Sequence, residues 1–157
     1  MVLLGTKGGQ KEETMMGDLS EHFSRKEFEC RHCHQFIKSC GLLRGLEKLR
    51  DLAQVPIFVL SGYRCAAHNR AVGGASNSQH IRGKAADIQI SGLSVREMYD
   101  LAVQVPDFVR GGIGVYPEEG FIHVDARPLP ARWVRIKGQY VNFKDWKGDR
   151  DGPQTPV

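Results

Sequence analysis

A pair of short apolar segments on either side of a turn sequence constrains the fold of this chain most strongly. Residues 113–116 (IGVY) and 121–125 (FIHVD) are separated by residues 117–120 (PEEG), a pattern typical of a β-hairpin. A further strand is predicted at residues 84–90 (KAADIQI), where every second side chain from position 86 is apolar. Because strands and helices are mixed without a strict β-α-β alternation, we expect an α+β fold with a small, mostly antiparallel sheet flanked by helices.

Helical segments are predicted around these strands. Ser24 and Ser94 are each followed by a glutamate three residues later, which is the capping box that begins a helix. Apolar residues recur with helical spacing across residues 42–52, and this predicts an amphipathic helix. A buried strand is predicted at residues 57–60, followed by a turn, a short helix and a polar loop over residues 61–78.

The length of 157 residues allows one domain. We expect a flexible leader over residues 1–18, a folded domain over residues 19–146 and a flexible tail over residues 147–157, because both ends are polar and lack periodicity. No run approaches the ~20 apolar residues that a membrane span needs. The apolar run at residues 2–4 is too short for a signal peptide, so we expect synthesis as a cytoplasmic polypeptide.

The charge of the chain is mildly basic. It carries 22 basic and 18 acidic residues, which gives a net charge of +4 and a pI near 9.0. Such a surface suits an anionic polymer such as nucleic acid or bacterial cell wall, but it is equally typical of a solvated surface without a polymer partner. The basic residues are not interleaved with aromatic ones, so we expect no nucleic-acid binding. We expect a monomer.

Two histidines and one aspartate form a candidate metal site. His80 and Asp87 lie seven residues apart across a glycine-containing turn, and His123 lies in the second strand of the predicted hairpin. Two imidazoles and a carboxylate are a ligand set of catalytic zinc, in which the fourth position is left to water. On spacing alone, each of these side chains also fits an ordinary partly buried position.

Three sequence blocks, taken together and in this order, resemble the zinc D-alanyl-D-alanine peptidases. Residues 61–64 (SGYR) are similar to the first block of that family, and residues 78–88 (SQHIRGKAADI) to its SxHxxGxAxD signature. Residues 111–125 are similar to the family's GGxGxYP and FxHxD elements. The resemblance covers about residues 61–125, with a weaker likeness from Phe23 onward.

The resemblance implies that residues 19–146 form a zinc peptidase domain with the hedgehog/DD-peptidase-like fold. It implies a zinc ion (Zn²⁺) held by His80, Asp87 and His123, and hydrolysis of peptidoglycan stem peptides or other D-Ala-containing peptides by a zinc-activated water. The enzyme would be a D-Ala-D-Ala carboxypeptidase or an endopeptidase, and it would reach the cell wall by a separate export route or by phage-type lysis. The alternative is a catalytically inactive zinc-containing binding module of the same fold.

Three further positions are implied to act on the substrate. Arg64 matches the family arginine that faces the substrate carboxylate or the scissile carbonyl, and a fixed guanidinium suits both tasks. Its alternative is a structural salt bridge beside the site. Ser78 and Tyr116 are motif positions that we assign to substrate binding, although the Ser78 hydroxyl can instead cap a turn or support His80.

The general base is the point at which this sequence departs from the family pattern. Family members carry an acidic residue or a histidine a few residues before the last zinc ligand, where this chain has Gly120 and Phe121. The glutamates at 118–119 lie in the predicted turn. Asp125 falls on the same strand face as His123, so it is either the catalytic base or a partner that orients the His123 ring.

The cysteines form a separate candidate group. They are Cys30, Cys33, Cys40 and Cys65. Four thiols can form a tetrahedral zinc site, with His32 or His34 as a substitute ligand, or two disulfides in one of three connectivities. The absence of a signal peptide favours reduced thiols and therefore a metal over disulfides. Free buried cysteines are the third alternative.

Overall fold

The computed structural model describes residues 16–148, and its helices and strands build an α+β fold. In chain order the elements are α1 (Arg25–Phe28), α2 (Cys40–Ala53), β1 (Ile57–Ser61), α3 (Ala66–Ala71), β2 (Ala85–Ile90), α4 (Val95–Ala102), α5 (Pro106–Val109), β3 (Gly112–Tyr116), β4 (Phe121–Asp125), β5 (Ala131–Ile136), β6 (Gln139–Val141) and a short 3₁₀ helix at Phe143–Asp145. Within this part of the chain, no helix has the length and apolar character needed to cross a bilayer.

The six strands form one sheet in the order β1-β2-β4-β3-β5-β6. Every neighbouring pair is antiparallel except β3 and β5, which run parallel. The predicted hairpin is confirmed, since β3 and β4 pair from Gly112 opposite Asp125 to Tyr116 opposite Phe121. The expected fold class, a small and mostly antiparallel sheet with helices beside it, is therefore confirmed.

The two predicted capping boxes both begin helices. The Ser24 amide donates to Glu27 Oε2 at 2.7 Å, and the Ser94 amide donates to Glu97 Oε2 at 2.8 Å. The first of these helices is only one turn long, whereas α4 continues for eight residues. Helix α2 begins earlier than its apolar periodicity predicts, because the Ser39 hydroxyl accepts a hydrogen bond from the Leu42 amide and so caps the helix before position 42.

The central strands separate the molecule into an apolar face and a polar face. The side chains of β2, β3 and β4 that are fully buried and belong to the hydrophobic core are Ala86, Ile88, Ile113, Val115, Ile122 and Val124. They occupy alternate strand positions, and the helices α2, α4 and α5 pack over that face. The intervening side chains of the same strands therefore lie on the opposite face, which carries the polar residues considered below.

Several elements lie outside the regions predicted as regular structure. Strands β5 and β6 and helix α5 carry weak apolar patterns, and in β5 only Val134 is fully buried. Tertiary pairing with β3 rather than local periodicity defines β5. Most of the predicted leader and tail, residues 1–15 and 149–157, lies outside the described residues. At the end of the predicted leader, the Asp18 carboxylate accepts a hydrogen bond from the Arg25 amide at 2.7 Å.

An ion pair joins α5 to α2. Arg44 Nη2 lies 2.6 Å from Asp107 Oδ1, and Lys48 Nζ lies 3.6 Å from Asp107 Oδ2, whose side chain is only 5% exposed. Although burial raises the pKa of Asp107, the hydrogen bond and charge of Arg44 together with the charge of Lys48 outweigh it and lower that pKa. The folded state therefore holds Asp107 ionised more strongly than the unfolded chain does.

We expect the Asp107→Asn variant to unfold a few degrees below the wild type at pH 7, with the difference shrinking below about pH 4. A carboxyl whose pKa is lowered by folding stabilises the protein above its unfolded pKa and loses that contribution as the pH falls through the folded value. Thermal unfolding across this pH range measures the effect. A difference in Tm that stays constant from pH 7 to pH 3 would contradict it.

Candidate active site

The strand register places a row of chemically distinctive residues across the polar face of the sheet. Asp87 of β2 is directly opposite His123 of β4, and His123 is opposite Gly114 of β3. Gly114 is in turn opposite Trp133 of β5. Residues that pair directly across strands project from the same face. The pairing of four strands therefore brings Asp87, His123 and Trp133 to one surface, although they are far apart in the sequence.

Asp87 Oδ1 is the point on which two histidines converge. His80 Nε2 and His123 Nδ1 each lie 3.2 Å from this oxygen. One ligand atom from each of the three residues lies within 4.8 Å of the others, and all three residues are buried. The structure thus brings together the three residues that the sequence singled out as candidate metal ligands.

The outward nitrogen of each histidine ring has its own acceptor. His80 Nδ1 donates to the Gly62 carbonyl oxygen at 2.7 Å, and His123 Nε2 donates to Asp125 Oδ2 at 2.7 Å. Each outward nitrogen therefore carries a hydrogen, which leaves the lone pair of the neutral ring on the nitrogen that faces Asp87. Burial lowers the pKa of His80 and favours its neutral form, whereas at His123 the hydrogen bonds with Asp125 and Asp87 outweigh burial and raise the pKa. This arrangement of a ring nitrogen held from behind by a carbonyl or carboxylate is typical of histidines that bind metals.

Asp125 is fully buried behind His123 and does not line the site. Its Oδ1 accepts hydrogen bonds from the Gly112 amide at 2.9 Å and from the Arg127 amide at 3.0 Å. Its Oδ2 accepts from Arg127 Nη2 at 2.6 Å in addition to His123. Burial raises the pKa of Asp125, but the hydrogen bonds from His123 and Arg127 hold it well below its usual range. This geometry matches a residue that orients the His123 ring.

Arg64 holds the other oxygen of Asp87. Its Nη2 donates to Asp87 Oδ2 at 2.9 Å, and its Nε donates to Ser61 Oγ at 3.0 Å. Its Nη1 lies 3.4 Å from Asn69 Oδ1, and Asn69 is itself buried and donates to the Ala75 carbonyl at 2.9 Å. The three guanidinium contacts fix the plane of Arg64, which in turn fixes the orientation of Asp87.

A cleft of about 670 Å³ opens over these residues. Ser78 and Tyr116 both line it, as the sequence-based assignment to substrate binding requires. Ser78 Oγ accepts a hydrogen bond from the His80 amide at 3.3 Å, so its hydroxyl also supports the loop that carries His80. The Tyr116 hydroxyl accepts a hydrogen bond from Trp133 Nε1 at 3.1 Å, and its ring stacks on Phe121.

Another part of the cleft wall comes from two strands that the sequence did not predict. Trp133, Arg135 and Tyr140 line it from β5 and β6. The Trp133 ring centre lies 5.0 Å from that of His123, and a Cβ at Gly114 would overlap the Trp133 indole. The absence of a side chain at Gly114 therefore leaves room for the indole beside β3. The only sequence signal was the tryptophan itself, since β5 was not predicted.

The turn glutamates do not line the cleft. Both oxygens of Glu118 accept from the Lys137 amide at 3.1 Å, and Glu119 pairs with Arg135 at 3.6 Å. They line a second depression of about 830 Å³, which does not include any of the three candidate ligands. Among the described residues that line the cleft, Asp87 is the only carboxylate.

The structure divides the cysteines into a group of three and one separate residue. Cys30, Cys33 and Cys65 each contribute a sulfur within 4.8 Å of the other two. Cys40 is exposed at the first position of α2 and does not belong to this group. All four are free thiols, so neither of the disulfides considered from the sequence is formed in the structure.

Comparisons with known proteins agree with this geometry. Residues 21–125 match the model of a protein family described as Peptidase M15. The chain is 39% identical over 83 residues to the probable peptidoglycan L,D-endopeptidase MepK of Haemophilus influenzae, a match that covers 50% of this chain and 43% of that protein. It is 33% identical over 95 residues to the peptidoglycan L,D-endopeptidase MepK of Escherichia coli K12, covering 56% and 50% respectively. The chain spans about half the length of the curated relatives it matches.

Proposed function

The chain belongs to the peptidase M15 family, and on this premise we propose that it is a zinc metallopeptidase that hydrolyses peptide bonds in peptidoglycan stem peptides. The convergence of His80, Asp87 and His123 carries the proposal, because their donor atoms lie within 4.8 Å of one another and each ring is held from behind. Two neutral imidazoles and one carboxylate are a donor set that fits zinc and leaves a coordination position open. Bound there, zinc supplies a Lewis acid that lowers the pKa of a water molecule and polarises a carbonyl oxygen.

The surrounding residues of this chain keep the three donors in place. The Gly62 carbonyl holds the His80 ring, Asp125 holds the His123 ring, and Arg64 holds Asp87 through its second oxygen. We propose that Asp125 orients the His123 ring and does not abstract a proton. Its side chain is fully buried, its Oδ1 accepts from the Gly112 and Arg127 amides, and its Oδ2 accepts from His123 and from the Arg127 guanidinium.

The cleft offers groups that suit a stem peptide. Stem peptides carry carboxylates and extended backbone, and the cleft presents the guanidinium of Arg135 together with the aromatic side chains of Tyr116, Trp133 and Tyr140. Arginine binds carboxylates through paired hydrogen bonds, while the ring faces provide apolar contact. Because the relatives are named L,D-endopeptidases, we propose an endopeptidase that cuts between an L- and a D-centre, rather than a D-Ala-D-Ala carboxypeptidase.

A second candidate function is a zinc-containing binding module without hydrolytic activity. The observation in its favour is that Asp87, a proposed metal ligand, is the only carboxylate among the described cleft residues. A water nucleophile needs an acceptor for its proton, and a separate carboxylate or histidine in the cleft is the usual one. This candidate retains the fold, the metal and the peptide cleft.

Digestion of purified peptidoglycan distinguishes these candidates. The zinc-loaded full chain is incubated with intact sacculi and with soluble stem-peptide fragments, and the products are identified by mass spectrometry. We expect fragments cut at an L,D bond. Release of free D-Ala instead would identify a carboxypeptidase. Retention of the chain on sacculi with no fragment released would establish the binding module and overturn the hydrolase.

We expect Arg64→Lys to lower kcat/KM by one to two orders of magnitude, or about 1.4–2.8 kcal/mol of transition-state stabilisation. The guanidinium contacts Asp87, Ser61 and Asn69 at once, whereas one ammonium group retains the charge but loses the planar set of donors. Steady-state kinetics on a stem-peptide substrate measure the loss of kcat/KM. A zinc titration shows whether the affinity for zinc changes as well.

Arg96→Lys is the matched control for this substitution. Arg96 forms an exposed ion pair with Asp100 on α4 and does not line the cleft, so its replacement should leave the kinetics unchanged. If Arg64→Lys turns over substrate as fast as the Arg96→Lys control does, the fixed guanidinium plane has no part in positioning Asp87.

A further inference from the structure

The three-cysteine group lies outside the cleft, where two separate segments meet. Cys30 and Cys33 follow α1 in the loop at residues 30–35, and Cys65 is the N-cap residue of α3. Their sulfurs lie within 4.8 Å of one another, and Cys30 is completely buried. Three soft donors this close together are a group that one metal ion can bind, and the proposed peptidase activity makes no use of them.

Backbone N–H groups donate to two of these sulfurs. The Cys65 amide donates to Cys30 Sγ at 3.4 Å. The Cys65 sulfur accepts in the same way from the His68 amide at 3.4 Å. Amides that point at a sulfur stabilise the thiolate form, which is the form that binds metal.

The turn between Cys30 and Gln35 is shaped to bring Cys33 back toward Cys30. The Cys30 amide donates to the Gln35 carbonyl at 2.9 Å, and the His34 amide donates to the Cys30 carbonyl at 2.8 Å. His34 adopts a left-handed backbone conformation with φ of 57°. A residue other than glycine is uncommon in this region, so the surrounding contacts must hold the turn closed.

A fourth donor stands next to the group. His32 Nδ1 lies 3.4 Å from Cys65 Sγ, on the solvent side of the cluster. Three thiolates and one imidazole are a recurrent ligand set of structural zinc, in which the protein fills all four positions. We propose that Cys30, Cys33, Cys65 and His32 bind a zinc ion that is separate from the one proposed for the cleft, and that Cys40 takes no part.

The position of this site gives it a structural role. Arg31 Nη2 donates to the Leu60 carbonyl at 2.9 Å, and the Tyr63 amide donates to the Phe28 carbonyl at 2.9 Å, so the two segments already lie side by side. Cys65 directly follows Arg64, which orients Asp87. A zinc ion bound to both segments would fasten the chain immediately beside the arginine that positions a proposed ligand of the cleft.

Cobalt substitution tests the proposal without any activity measurement. The full chain is purified under reducing conditions with the His80→Ala replacement, stripped of metal and titrated with Co²⁺, whose bonds to thiolates give charge-transfer absorption in the near ultraviolet. We expect one equivalent of Co²⁺ to develop that absorption. Cys33→Ser should weaken the apparent affinity at least ~100-fold, whereas Cys40→Ser should leave it unchanged.

The histidines provide a second matched pair. His32→Gln should alter the visible cobalt bands and weaken binding, whereas His34→Asn should change neither, since asparagine tolerates the left-handed conformation. Circular dichroism shows whether each variant is folded, and a Co²⁺-dependent rise in Tm should occur in Cys40→Ser but not in Cys33→Ser. No thiolate absorption in the parent chain, equal binding by Cys33→Ser and Cys40→Ser, or a disulfide among the three cysteines in the reduced preparation would each overturn the proposal.

Discussion

Replacing His80 with alanine is expected to remove the metal from the cleft and to lower kcat/KM by about 10³-fold or more. His80 supplies one of the three donors that converge on this position among residues 16–148, and the Gly62 carbonyl fixes the orientation of its ring. A metal that polarises a carbonyl contributes several kcal/mol to transition-state stabilisation, and each 1.36 kcal/mol lost is a factor of ten in rate.

Elemental analysis and steady-state kinetics measure the two parts of this prediction. The zinc content should fall by one equivalent while the cysteine site keeps its own. His68→Ala is the control, because His68 lies on α3 outside the cleft lining and should retain wild-type zinc and activity. Unchanged zinc content in folded His80→Ala would show that the metal is bound elsewhere.

Asp125→Asn is expected to weaken zinc binding by about 10–100-fold and to lose activity that excess zinc partly restores. Asp125 accepts only, with His123 on one oxygen and the Gly112 and Arg127 amides on the other. The side-chain amide of an asparagine at this position would have to point its NH₂ either at His123 or at the backbone amides of Gly112 and Arg127, all of which donate hydrogen bonds in the wild type. If the NH₂ faces His123, the ring must move its hydrogen to Nδ1, the nitrogen that faces Asp87, and its lone pair is then lost to the metal.

The same variant separates the two roles considered for Asp125. If Asp125 were the general base, Asp125→Asn would keep its zinc affinity and lose ~10²–10⁴-fold in turnover, which zinc could not restore. Glu118→Gln is the matched control, since Glu118 is exposed, accepts hydrogen bonds from the Lys137 amide and does not line the cleft. Loss of activity in Glu118→Gln with full activity in Asp125→Asn would instead place the base in the turn.

The sequence predicts those features that local rules determine. Capping boxes at Ser24 and Ser94 begin helices because each requires only a hydroxyl and a carboxylate three residues apart. Strand alternation places Asp87 on the face opposite Ala86 and Ile88. These rules, with the family motifs, suffice to identify the fold class and the three residues that converge in the cleft.

The remaining features depend on contacts between distant segments. The role of Asp125 follows from which nitrogen of His123 it meets, and strand periodicity does not determine a ring orientation. Trp133 reaches the cleft because β5 pairs in parallel with β3. The sequence of β5 contains two arginines and does not predict this pairing. The separation of Cys40 from the other cysteines likewise depends on the approach of residues 60–65 to the loop at 30–35.

The register of β2 against β4 links the acquisition of metal affinity to the folding of the sheet. A slip of one residue would leave Asp87 and His123 on opposite faces of the sheet and would turn Ala86 or Val124 away from the core, because successive strand residues point to opposite faces. A sheet that is misaligned by one residue therefore cannot bury the apolar side chains of both strands and also present both donors on the open face. The time at which a refolding chain first binds metal in the cleft therefore reports when β2 and β4 have reached the correct register.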